Sequence, residues 1–103
     1  MTSELNILNK HFKKMFPFVI EVKGFNFDYN NQLNIGIYVS HTHYAELSCE
    51  EVSRPISNYM LKKSTNLMKS VLPDWDGRFV NFNIFTQIEK DNVTILDELD
   101  LSV

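Results

Sequence analysis

The sequence predicts an α+β domain of order α-β-β-α-β-β, with two helices packed on one face of an antiparallel sheet of three to four strands. Three observations carry that prediction. Apolar residues recur at helical spacing in residues 3–15 and 53–72. They alternate residue by residue in 18–29, 33–47 and 78–89. Clusters of Pro, Gly, Asn and Asp separate these segments. With 103 residues, 44% of them hydrophobic and 22% charged, the chain can bury one continuous core and is too short for two. The reading is a single domain over 1–96 followed by an acidic C-terminal tail, 97–103.

The first helix is capped by Ser3. Leu5, Leu8, Phe12 and Met15 form its apolar stripe, and Lys10, Lys13 and Lys14 fall opposite. Phe16-Pro17 ends it, because the residue before a proline is pushed out of the helical region. In the following strand Ile20 and Val22 share one parity, whereas Phe25, Phe27 and Tyr29 share the other. A β-bulge at Gly24 puts all five on one face. Asn30-Asn31-Gln32 is a hairpin turn.

Residues 33–47 keep one parity without a break: Leu33, Ile35, Ile37, Val39, His41, His43, Ala45 and Leu47. A strand usually runs about five or six residues, so this one is expected to bend or split near 40–42. Ser48 and Glu51 have capping-box spacing, and Ser53 before Pro55 offers a second helix start. That helix runs to Leu72 and stops at Pro73. Its apolar arc holds Ile56, Met60, Leu61, Leu67, Met68, Val71 and Leu72 around Ser64, with Lys62, Lys63 and Lys69 outside it. After a turn at 73–77, Val80, Phe82, Ile84 and Ile88 face one way, and Phe79, Asn81, Asn83 and Phe85 the other. A short strand from Val93 to Ile95 closes the order, and 97–103 is expected to be loose.

Net charge is −3 and the pI about 5.5, which argues against a general nucleic-acid binder. The charge is uneven: residues 73–103 carry two basic and seven acidic groups. One cysteine, Cys49, excludes an internal disulfide and fits a reducing cytoplasm. No stretch reaches the roughly 18–20 apolar residues of a membrane span, and Met1-Thr2-Ser3-Glu4 lacks the order of a signal peptide. The expected location is cytoplasmic, with no membrane partner.

Signals for chemistry are weak. On a strand, His41 and His43 would point to one side, but Cys49 is not at structural-zinc spacing from them, so no metal is expected. Glu50 and Glu51 beside Cys49 oppose thiolate formation. No catalytic triad, paired carboxylates or phosphate-cradling glycine loop stands out. The reading is therefore not an enzyme and without cofactor.

The sheet face turned away from the helices is more informative. By parity it carries Asn26, Asn34, Tyr38, Tyr44, Phe79, Asn81, Asn83 and Phe85, with Gly36 leaving a shallow gap. Exposed aromatics among amides mark an interface. Glu21, Asp28, Glu46 and Glu89 against Lys23 make that face acidic, which repels phosphate. The function expected is a small intracellular protein-binding module without catalysis, inhibitor-like, immunity-like or chaperone-like. It binds another protein or a second copy through Tyr38, Tyr44, Phe79, Asn81, Asn83 and Phe85. The element order resembles that of secretion chaperones, at the level of fold alone. The alternative is an RNA- or ribosome-associated domain using the helix lysines.

Overall fold

The computed structural model describes the backbone of residues 2–103 and the side chains of 3–103. Helix α1 (Thr2–Met15) leads into strands β1 (Val19–Phe27) and β2 (Leu33–Val39). Helices α2 (His41–Leu47) and α3 (Glu50–Val71) follow, then β3 (Val80–Lys90) and β4 (Val93–Ser102). The class is α+β, as the periodicities predict. The sheet order is β1-β2-β3-β4.

The sheet is mixed rather than antiparallel. β1 pairs β2 antiparallel and β3 pairs β4 antiparallel, but β2 pairs β3 parallel. The connection from β2 to β3 runs through two helices, which return the chain to the end where β2 began. One core joins Leu8 and Phe12 of α1, Tyr44 and Leu47 of α2, and Met60 and Met68 of α3 to the inner residues of the sheet. Three helices therefore contribute to it, not two.

The additional helix, α2, replaces the second half of the expected long strand. Ser40 stops β2 and caps α2, its side-chain oxygen accepting from the His43 backbone N–H at 3.3 Å. From there Tyr44 and Leu47, three apart, turn to the core, and the alternation of His41, His43 and Ala45 has no structural meaning. Cys49, not Ser48 or Ser53, occupies the N-cap position of α3. The Ser48 and Ser53 hydroxyls donate to the carbonyls of Ala45 and Glu50 instead.

β1 contains two bulges. Val19 pairs with Val39 and Glu21 with Tyr38, leaving Ile20 extra; Val22 pairs with Ile37 and Gly24 with Gly36, leaving Lys23 extra. The expected phase fault at Gly24 is real. The additional one at Ile20 turns that side chain outward, 47% exposed, and puts Val19 in the core in its place. Tyr29, in the turn beyond the strand, is exposed rather than aligned with Phe25 and Phe27. Between the bulges, the Val22 N–H donates to Oδ1 of Asn9 on α1 at 2.9 Å.

The C-terminal segment is not a loose tail. β4 runs ten residues against β3, from Lys90↔Val93 to Asn81↔Ser102. Leu101 is buried and Leu99 packs against the core. The Val103 N–H donates to the Val80 carbonyl. Among the described residues, no helix is long and apolar enough to cross a membrane.

Candidate functional site

Pairing across all four strands arranges the outer face in rows. The first row is Asn26, Asn34, Asn81 and Ser102; the second is Gly24, Gly36, Asn83 and Asp100; the third is Glu21, Tyr38, Phe85 and Glu98. Alternation puts these side chains outside because their neighbours Leu33, Ile35, Ile37, Phe82 and Ile84 are fully buried inside.

The first row is a hydrogen-bonded chain. The Ser102 hydroxyl donates to Asn81 Oδ1 at 3.2 Å, Asn81 Nδ2 donates to Asn34 Oδ1 at 3.3 Å, and Asn34 Nδ2 donates to the Gln32 carbonyl at 3.3 Å. The amides are thereby held in fixed orientation. The second row lacks side chains at its β1 and β2 positions. The result is a shallow trough of about 550 Å³ between the amide row and the aromatic row. Its lining includes Lys23, Gly24, Asn34, Gly36, Asn83, Phe85 and Glu98. A Cβ on Gly24 would meet nothing within 4 Å, so that position opens onto free space. A Cβ on Gly36 would stand 3.2 Å from Cε2 of Phe85, so the ring leans over the glycine.

Charge is distributed unevenly around the trough. At its β4 side, Asn83 Nδ2 donates to Glu98 Oε1 at 3.0 Å and to Asp100 Oδ1 at 2.5 Å. Among the described residues, no Lys or Arg lies within ion-pair distance of either carboxylate. At the β1 side, the Lys23 ammonium sits 5.5 Å from the centre of the Tyr38 ring.

Of the six residues expected at the site, Tyr38, Asn81, Asn83 and Phe85 come together on this face, all half-buried. Tyr44 does not. It lies on α2 and is buried, with its hydroxyl turned towards the Asp97 carboxylate. Burial first, then the charge and hydrogen bond of Asp97 and the charge of Glu98, hold its pKa above the ordinary 10.0. Phe79 does not line the trough either. Its φ of 50° breaks the alternation just before β3, and its ring, 57% exposed, lies under the Arg78 guanidinium. The turn before it is fixed by the Trp75 indole N–H donating to the Arg78 carbonyl at 2.7 Å.

The acids of the face also differ from expectation. Glu46 is on α2; the carboxylate lining the trough is Glu98, with Asp100 beside it, hydrogen-bonded to the lining residue Asn83. Their signal was present: Thr94, Leu96, Glu98, Asp100 and Ser102 alternate with Val93, Ile95, Leu99 and Leu101. His41 and His43 stand about 200° apart around α2 and do not converge. The lysines of α1 and α3 are exposed, on helices that pack against the opposite face of the sheet. The chain matches no family, and neither a curated protein nor a solved structure matches it.

Proposed function

We propose that this chain is a small non-catalytic module that docks a partner protein on the outer face of its sheet. The observation that carries the reading is the trough between a fixed amide row and an aromatic row. Tyr38 and Phe85 supply apolar contact area with few rotatable bonds, the usual make-up of interface anchors. Asn81 and Asn83 supply directional hydrogen bonds beside them. The helix lysines occupy the other side of the molecule, so they and the aromatic row cannot grip one nucleic-acid strand together.

The test is a contrast of parity. Tyr38→Ser with Phe85→Ser removes two outer side chains; Ile37→Ser with Ile84→Ser removes their inner neighbours, which are fully buried. The outer pair should keep the fold and lose the partner, each anchor contributing about 2 kcal/mol to binding. The inner pair should unfold the protein. Affinity capture, sedimentation velocity and thermal melting read the three quantities. An outer variant that stays folded and keeps every partner and every self-association removes the docking reading.

A further inference from the structure

We infer that the occupant of the trough is a cationic segment of a partner protein, one that places an arginine or lysine side chain over Phe85 with its head between Glu98 and Asp100. This rests on the docking reading above and specifies its partner. Two carboxylates lie within hydrogen-bond reach of a single amide nitrogen, Nδ2 of Asn83. Bringing like charges together is unfavourable unless something cationic stands by them. Among the described residues no Lys or Arg comes within ion-pair distance of either, and the trough's own cation, Lys23, is held on its β1 side over the Tyr38 ring.

The rest of the trough complements such a side chain. Phe85 offers an aromatic surface next to Glu98, suited to an alkyl stem or a guanidinium plane. The open space at Gly24 leaves room for the stem. Charge-assisted hydrogen bonds to carboxylates are the strong ones, and arginine makes them in pairs. β4 is an edge strand whose outer face carries Glu98 and Asp100, so a segment approaching over that edge meets negative charge along its path. The same charges turn away a phosphate-bearing strand.

The probe is a fluorescently labelled ten-residue peptide alternating arginine and threonine. Its comparators replace every arginine with glutamine or with glutamate, and a uridine decanucleotide serves as the nucleic-acid arm. Anisotropy titrations use the full chain and two charge-neutralising doubles. Glu98→Gln with Asp100→Asn removes the trough's charge but keeps acceptors for Asn83. Glu50→Gln with Glu51→Gln removes the same charge at the exposed start of α3.

The arginine peptide should bind the parent chain, weaken with salt, and lose about tenfold or more in the trough double but under about twofold in the helix double. Equal losses in the two doubles, binding of the glutamine peptide as tight as that of the arginine peptide, tighter binding of the RNA, or no binding of the arginine peptide each overturn the inference. Gly24→Leu, which fills the trough, separates this from the docking reading. If it abolishes capture of the natural partner while the trough double does not, docking stands and the cationic partner falls. If neither variant loses the partner, both fall.

Discussion

Gly24 and Gly36 face each other across β1 and β2, and the absence of side chains at this pair forms the floor of the trough. The two glycines are not equivalent. Gly24 sits at the second bulge with its Cβ direction open, while Gly36 lies under the Phe85 ring.

Gly24→Leu should therefore leave stability within about 1 kcal/mol of the parent, since a strand glycine carries an entropy penalty that any side chain relieves. It should abolish partner binding. Gly36→Val should displace the Phe85 ring and destabilise by about 1–3 kcal/mol. Urea denaturation of both variants checks this; a Gly24 variant that loses more than the Gly36 variant contradicts the geometry. A bulge glycine is often one that no side chain can replace. The structure says otherwise of Gly24, because its φ is not in the left-handed region.

The two bulges divert β1 from regular pairing, and Asn9 supplies the acceptor for the Val22 N–H. Val22 is 1% exposed, so its N–H has little contact with solvent. Asn9→Ala should cost about 1–3 kcal/mol, the penalty of a buried donor left unpaired. Asn6→Ala, on the same helix and exposed, should cost under about 0.5 kcal/mol. Equal effects in thermal melts of the two variants would remove the role assigned to Asn9.

Leu101 tests the status of the C-terminal segment. Leu101→Ala should destabilise by about 2–5 kcal/mol, as for any buried leucine. A change below about 0.5 kcal/mol would mean that the segment is loose after all.

What the sequence made legible depended on whether periodicity was the deciding signal. α1, α3 and the inner faces of β2 and β3 follow from spacing alone, since their apolar residues face one core. Residues 41–47 misled because alternation continued past Ser40 by coincidence. The competing cue was a cap, a hydroxyl that ends a strand as readily as it starts a helix. Asp97 hid β4, an acid at an inner position. It stands beside the Tyr44 hydroxyl, with which it interacts electrostatically, and no local pattern shows that pairing. Parity put Tyr38, Asn81, Asn83 and Phe85 on the outer face, where they lie, and misplaced Tyr44 and Phe79. Glu98 and Asp100 were missed with the strand that carries them.

The Tyr44–Asp97 contact gives a pH dependence of known sign. Tyr44 holds its proton more tightly in the folded chain than in the unfolded one, where it ionises near 10.0. Its contribution is whole below pH 10.0 and is lost as pH rises through the folded-state pKa. Urea midpoints should fall above that pH in the parent. In Tyr44→Phe the alkaline fall should be shallower, and stability at neutral pH lower by about 1 kcal/mol. An alkaline fall of equal depth in both proteins contradicts the assignment.

The central claim is that a partner covers the outer sheet face, and hydroxyl-radical footprinting of the captured complex tests it most directly. Tyr38 and Phe85 should be labelled in the free chain and protected in the complex. Tyr29, 96% exposed in the hairpin turn, and Tyr59 on α3 should be labelled in both. Protection of Tyr59 with Tyr38 and Phe85 still labelled would place the partner on the helices and contradict the account.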